Sequence, residues 1–336
     1  MKLIIPLSIC FIVLWELFTK WPDEHFHLIV CDVGQGDAIL LEYKQMQILI
    51  DTGPDESLLT CLNKELGFWD KKIDVLIITH FDDDHIGGFT ALSKVYEISY
   101  IFLPLTHYKE SKVFLELKTQ INTLQKQGTI LKEPFLGQQI AFSKISPNHQ
   151  AKYNSINKQQ NSLLLTFLTP MALDLEEQKS LEENGSFLWQ GPEQYLSAED
   201  WQKMAYKISD NDGSIAVFVQ FGELKVLLTG DLESARELAL IKSDLITKVD
   251  IQKAGHHGSK TSSALAFLEK TRPELALISC GLNNKFNHPS PEVLTNFQAI
   301  GAKILRTDHF GTIEAASNGQ KFWLKNEKDK FFKDLF

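Results

Sequence analysis

The chain has 336 residues, 43% of them hydrophobic and 23% charged, which excludes a disordered tail and provides for a sizeable core. Its 34 Lys and Arg against 43 Asp and Glu give a formal charge of −9, which excludes a histone-like basic binder. The charge is uneven: Met171 to Gln202 carries eight acidic residues and one lysine, whereas His107 to Ser162 carries eight lysines and three glutamates. A polyanionic substrate is therefore compatible with the chain, provided that it docks away from the acidic stretch.

Lys2 opens an apolar run from Leu3 to Trp15 that Glu16 closes. The run is too short for a membrane-spanning helix, which needs ~20 residues, and close in length to the apolar core of a secretory signal. Residues 1–20 read as a signal peptide or membrane anchor, which would place the rest of the chain in the periplasm or at the cell exterior. A buried first helix or strand is the alternative. Cys10, Cys31, Cys61 and Cys280 are scattered without a Cys-x-x-Cys pair, so neither a zinc ribbon nor a disulfide framework is indicated and buried thiols are expected.

From His27 onward, short β-rich runs alternate with amphipathic stretches. Strands are expected over 27–33, 38–43, 47–51, 74–79 and 99–103, and in a second series over 162–168, 214–221, 224–229, 248–253, 275–279, 303–306 and 311–315. Helices are expected over 57–66, 112–127, 233–241, 262–269 and 291–299. The second of these places Val113, Phe114, Leu117, Ile121 and Leu124 on one face. Two series of strands with their helices predict two sheets covered by helices, an αββα sandwich formed by one domain over 21–336. The acidic stretch at about 171–205 has no clear period and reads as an insertion on one edge, a loop or lid.

The densest chemical signal is Thr79-His80-Phe81-Asp82-Asp83-Asp84-His85-Ile86-Gly87-Gly88, directly after the apolar run Val75 to Ile78. Three carboxylates and two imidazoles so close together repel unless neutralised, and divalent cations neutralise them most simply. A solvated acidic loop is the bland alternative. Leu227-Leu228-Thr229-Gly230-Asp231 is a second apolar strand ending in a metal-ligand residue type, and Lys253-Ala254-Gly255-His256-His257-Gly258-Ser259 is a third. Three such strand ends form one site if the strands lie side by side. Gly36 and Asp37 read as a turn that orients the floor of the site. Asp51 reads either as a partner of a metal-facing histidine or as a turn former.

These residues resemble the metallo-β-lactamase fold superfamily, and within it the hydrolase domain at the carboxyl end of the competence protein ComEC. The resemblance also rests on Asp32-Val33-Gly34-Gln35-Gly36-Asp37, Ile50-Asp51-Thr52-Gly53, Asn211-Asp212-Gly213-Ser214, Asn287-His288-Pro289 and Thr307-Asp308 before Gly311. It implies two divalent ions, zinc or manganese. His80 and Asp82 would hold the first and Asp84 and His85 the second, with Asp231 bridging. One of His256 and His257, with His256 preferred, would complete the second. The superfamily's further histidine before Gly-Asp is missing, since none lies between His149 and His256, and Asp212 or Asn211 stands in its place. More oxygen in the first site favours a harder ion, hence manganese beside zinc.

The function implied is a metal-dependent phosphodiesterase, a nuclease acting on DNA outside the cytoplasm, with the membrane as a further partner through the amino-terminal segment. Asp84, Asp231 and His288 are the catalytic candidates. Lys253, Ser259, Lys260 and His288, with Lys285, Lys303 and Arg306, are candidates for substrate contact at a basic rim. Two other readings stay open. One is a small-molecule ester, lactone or β-lactam hydrolase whose lid carries Phe187, Trp189, Tyr195 and Trp201. The other is a non-catalytic binding module that has lost one metal.

Overall fold

The first strand shows the layering. In the computed structural model, which describes residues 20–104, 110–142, 162–169, 211–243 and 245–325, β1 (Phe26–Val30) is buried at every position. Its side chains divide by parity: Phe26, Leu28 and Val30 enter one apolar cluster and Ile29 enters another. A strand buried on both faces lies in the middle of a layered structure.

The strands that follow are β2 (Ile39–Tyr43), β3 (Met46–Ile50), β4 (Lys72–Ile77), β5 (Glu97–Phe102), β6 (Ile130–Lys132), β7 (Gln139–Phe142) and β8 (Leu163–Phe167). After these come β9 (Val217–Phe221), β10 (Leu224–Leu228), β11 (Ile251–Lys253), β12 (Leu275–Ile278), β13 (Lys303–Arg306), β14 (Ile313–Ser317) and β15 (Phe322–Leu324). They form one sheet in the order β15-β14-β1-β2-β3-β4-β5-β6 and a second in the order β13-β12-β11-β10-β9-β8-β7. Phe26, Ile48, Ile77 and Phe102 of the first sheet meet Phe167, Val219, Phe221 and Leu277 of the second in one inter-sheet core.

Helices cover the outer faces. Leu58 and Leu62 of α1 (Ser57–Glu65), Phe89 and Leu92 of α3 (Phe89–Val95, after the short α2, Asp83–Ile86) and the apolar face of α4 (Lys112–Gln127) pack on the first sheet. Leu240 of α5 (Ser234–Lys242), Phe267 and Leu268 of α6 (Leu265–Thr271) and Val293 and Phe297 of α7 (Pro291–Ala299) pack on the second. A short α8 (Thr307–Phe310) follows β13. The predicted face of α4 is the buried one at Phe114, Leu117, Ile121 and Leu124, each side chain stabilising the fold by about 1.5–3 kcal/mol. Ser111 caps that helix by accepting from Phe114 N at 3.0 Å, and Gly128 ends it at φ 110°. The protein is an αββα sandwich.

The structure departs from the sequence reading in several places. The helix expected from Ser262 starts at Leu265, because the Ser262 hydroxyl donates to Gly255 O at 2.6 Å and Ser263 adopts a left-handed φ of 54°. The strands β6, β7 and β15 and the short α2, α3 and α8 are elements that the sequence pattern does not announce. The expectation of unpaired cysteines is corrected: Cys31, just past β1, and Cys61 in α1 form a disulfide with Cα atoms 5.8 Å apart, while Cys280 is a buried free thiol. A strand end and a helix packed on it meet only in three dimensions. Closing that 30-residue loop contributes about 3–4 kcal/mol in the chain-entropy model. The acidic stretch at about 171–205, and all of the amino-terminal segment but Lys20, lie outside the described residues. No described helix is long and apolar enough to cross a membrane.

Candidate metal centre

β3, β4, β5 and β6 run parallel in one sheet, as do β10, β11, β12 and β13 in the other. The carboxyl ends of β3, β4, β10 and β11 deliver their side chains to one edge of the sandwich. Asp51, just after β3, sits at φ 59° and holds the turn after β4, accepting from Thr79 N at 2.7 Å and Thr79 Oγ1 at 2.6 Å. The same carboxylate lies 2.8 Å from His85 Nδ1, so the His85 Nε2 is directed at the site. Of the two readings of Asp51, partner of a metal-facing histidine is the one the contacts describe.

Gly36 permits the approach of the loop before β2: a Cβ there would stand 2.2 Å from the Asp84 carbonyl oxygen. His256 and His257 both adopt left-handed φ, 45° and 54°, in a tight turn after β11. Non-glycine residues take that region at a cost on the order of 1 kcal/mol each. Both rings face one carboxylate.

That carboxylate is Asp231. Its Oδ2 lies 3.4 Å from the Nε2 of His85, 3.4 Å from that of His257, 3.8 Å from that of His256 and 3.9 Å from that of His80. His257 Nε2 is also 3.3 Å from Asp84 Oδ2 and 3.3 Å from His85 Nε2. Asp82 Oδ2 stands 3.7 Å from His80 Nε2. Two groups share Asp231: Asp84, His85 and His257 close together, and His80, Asp82 and His256 more widely spread. The structure thus places His257, not the preferred His256, in the group with Asp84 and His85, because the His257 Nδ1 contacts Ser279 O at 3.0 Å. His256 instead has Nδ1 3.4 Å from the Asn211 amide and 3.6 Å from Glu233. Asp212 is half-buried in the turn after Asn211.

The electrostatics follow from this crowding. Burial opposes charge on His85 and His257, but Asp231 with Asp51, and Asp231 with Asp37, outweigh it, holding His85 well above its usual value and His257 at about 10. Burial would raise Asp231 and Asp84, yet the imidazoles hold Asp231 well below the carboxylate range and Asp84 at about 2. The His80 imidazole 3.7 Å away lowers Asp82. Burial, then His257 and Lys253, depress His256. Burial, then His256 and His257, push His288 down to about 4, so it is neutral at pH 7.

Two substrate-contact expectations are corrected. Lys253 is not on a rim: it is fully buried, with Nζ 2.5 Å from Asp37 Oδ2, 3.9 Å from Asp231 Oδ1 and donating to Gly230 O at 3.1 Å. A lysine at the end of a strand buried on both faces has no path to solvent. Ser259 is buried too, its hydroxyl 3.0 Å from that of Thr261. Lys260 and Lys285 are exposed. Arg306 is committed to Asp308 at 2.6 Å. His288 lies at the site, its ring 5.7 Å from that of His256 and its Nδ1 buried with no hydrogen-bond partner among the described residues.

Asp37, a turn residue by sequence, is buried between Lys253 and His257, with Oδ1 3.4 Å from His257 Nδ1. Together with His85, Asp231 and His257 it offers atoms within 4.8 Å of one another. Lys253 already neutralises it, so Asp37 orients His257, whose Nε2 faces the other groups. Its one sequence signal was the position after Gly-x-Gly at a strand's end.

The residues fit divalent metal ions. His80 Nε2 is buried without a hydrogen-bond partner among the described residues and points at Asp231. Mixed imidazole and carboxylate donors suit zinc or manganese.

The sequence model of the metallo-beta-lactamase superfamily matches residues 31–116 and 198–281, about half of the chain. ComE operon protein 3 of Bacillus subtilis (strain 168) is 26% identical over 338 residues, covering 93% of this chain and 36% of that protein. Competence protein ComA of Neisseria gonorrhoeae is 26% identical over 297 residues, covering 87% of this chain and 32% of that protein. The chain spans about a third of the length of these relatives. Among solved structures, the metallo-beta-lactamase fold protein YhfI from Bacillus subtilis superposes with a TM-score of 0.45 at 12% identity, covering 90% of this chain and 100% of that one.

Proposed function

The chain belongs to the metallo-beta-lactamase superfamily, and on that premise we propose that it is a metal-dependent phosphodiesterase, a nuclease acting on DNA outside the cytoplasm. The observation that carries the reading is the convergence of four imidazole Nε2 atoms on one Asp231 oxygen, flanked by Asp82 and Asp84. The competence-protein names of the relatives favour DNA as substrate and uptake or degradation of DNA as the setting. The Cys31–Cys61 disulfide favours an oxidising compartment.

His80, Asp82 and Asp231 would hold one divalent ion, with His256 beside them, and Asp84, His85, His257 and Asp231 the other. The chemistry supplied by such ions would be activation of a water nucleophile and offset of the phosphate charge. The chain's own residues do the rest. Asp51 and the Ser279 carbonyl fix the tautomers of His85 and His257 by engaging Nδ1, which keeps each Nε2 a free donor. Lys253 balances Asp37 and Asp231 beneath the site, so the ligand carboxylates stay ionised without drawing in solvent. His288, neutral at pH 7, suits hydrogen bonding to a phosphate oxygen better than proton donation, a shift from its sequence-derived role.

The test is cleavage of single- and double-stranded DNA by metal-stripped protein resupplied with Mn²⁺ or Zn²⁺, beside Asp84→Ala and His257→Ala. Metal-dependent cutting that both substitutions reduce supports the proposal. Tight metal binding with DNA left intact contradicts it and turns attention to small esters.

A further inference from the structure

A loop on the rim presents apolar surface that the metal groups do not explain. Between β12 and α7, Leu282 is 71% and Phe286 50% exposed. Exposed apolar side chains on a floppy loop would mean little, but this loop is clipped at both ends by one side chain. Asn284 Nδ2 donates to Gly281 O at 2.9 Å and to His288 O at 2.6 Å, and Asn284 Oδ1 accepts from His288 N at 2.9 Å. Gly281 N in turn donates to Gln35 Oε1 at 3.2 Å, tying the root of the loop to the turn before Asp37. Phe286 is held out, not left out.

Its neighbours lead inward. The Phe286 ring stacks on that of His288 with centroids 5.6 Å apart and planes at 23°. The His288 ring lies 5.7 Å from that of His256, whose Nε2 is 3.8 Å from Asp231 Oδ2. Three rings in succession run from solvent to the shared carboxylate. Lys285 adds an ammonium 4.9 Å from the Phe286 centroid, and exposed Lys260 follows the His257 turn.

Resting on the phosphodiesterase reading, we propose that Phe286 is a stacking platform for an unpaired nucleobase, which makes a single-stranded polynucleotide the preferred substrate. A flat apolar face next to a phosphate site, with a lysine over it, matches the combination by which single strands are held. In a duplex each base face is covered by its neighbours, so only an unstacked base lies flat on this ring. Lys285 is free to leave the ring for the adjoining phosphate. Sequence preference is not expected, since every base offers a π-face.

The experiment measures binding of fluorescein-labelled oligothymidylate to the metal-loaded full chain by anisotropy, against an oligomer of equal length whose sugars carry no base. The wild type is expected to bind the base-bearing strand about tenfold more tightly, within the range of one stacked base. Phe286→Ala is expected to bring the two oligomers to about equal affinity, and Phe286→Trp to restore the difference. Equal binding of both oligomers by the wild type, or a difference that survives Phe286→Ala, overturns the inference. If the wild type nevertheless cuts oligothymidylate with metal, the phosphodiesterase reading stands without it. A wild type that binds neither oligomer and cuts neither overturns both.

Discussion

The two groups around Asp231 are built differently. In the tight group, the Nδ1 atoms of His85 and His257 are engaged by a carboxylate at 2.8 Å and a backbone carbonyl at 3.0 Å, and the facing donor atoms stand 3.3–3.4 Å apart. In the loose group, among the described residues His80 Nδ1 has the hydroxyls of Thr79 at 3.1 Å and Ser214 at 3.3 Å, while His256 Nδ1 has an amide at 3.4 Å and the Glu233 carboxylate only at 3.6 Å. Its His80 and Asp82 donors lie 3.7 Å apart, and its two imidazoles stand 3.8 and 3.9 Å from the shared Asp231 oxygen. Anionic backing raises the basicity of an imidazole and fixes its direction, so on the proposed reading the tight group would hold its metal more strongly than the loose one. The superfamily histidine missing from the sequence belongs to the loose side.

Removing what the groups share has the largest effect. Asp231→Ala leaves four imidazoles and Lys253 without their common counter-charge, and both metals are expected to be lost. Uncompensated buried charge costs about 3–5 kcal/mol, to be read from urea unfolding of the metal-free chain. His257→Ala is expected to cut affinity for the first metal bound by more than ~100-fold, exceeding the effect of removing an outer partner, whereas His256→Ala should leave that affinity nearly intact. Equilibrium dialysis distinguishes them. Asp51→Ala, which strips the backing from His85, is expected to cost about 10–100-fold in the same measurement. Ser214→Ala, on the loose side, should cost less than ~tenfold.

pH moves metal-free stability and metal binding in opposite directions. Asp231 and Asp37 stabilise the His257 imidazolium, so its contribution to metal-free stability is complete below its ordinary value of 6.5 and is lost as pH rises through about 10. Metal binding needs the neutral ring and runs the other way. Affinity of the tight group should rise about tenfold per pH unit for each proton displaced over that window. The loose group should follow pH less, since burial already depresses His256.

Where residues act together within one turn, the sequence was readable. His80, Asp82, Asp84 and His85 lie in one short segment after an apolar strand, and Asp231 and the His256–His257 pair each follow another, so parallel strands had only to bring three ends together. The sandwich was equally legible, because strands buried on both faces and a one-sided α4 permit few layerings. What was missed depends on partners distant in sequence. Gly-x-Gly-Asp reads as a turn until Lys253 arrives from the other sheet to pair with Asp37, and Lys253 reads as a surface cation until its strand proves central. Cys31 and Cys61 carry no local signal for pairing. The choice between His256 and His257 rests on which Nδ1 meets the Ser279 carbonyl, a partner distant in sequence that no residue type announces.

The decisive experiment is a calorimetric titration of the metal-free chain with Mn²⁺ and with Zn²⁺. Two unequal sites per chain are predicted, at least ~tenfold apart by the difference in anionic backing, with His257→Ala abolishing the stronger and leaving the weaker measurable. A single class of site weakened equally by His257→Ala and His256→Ala, or no binding at all, would contradict a metal centre organised around Asp231.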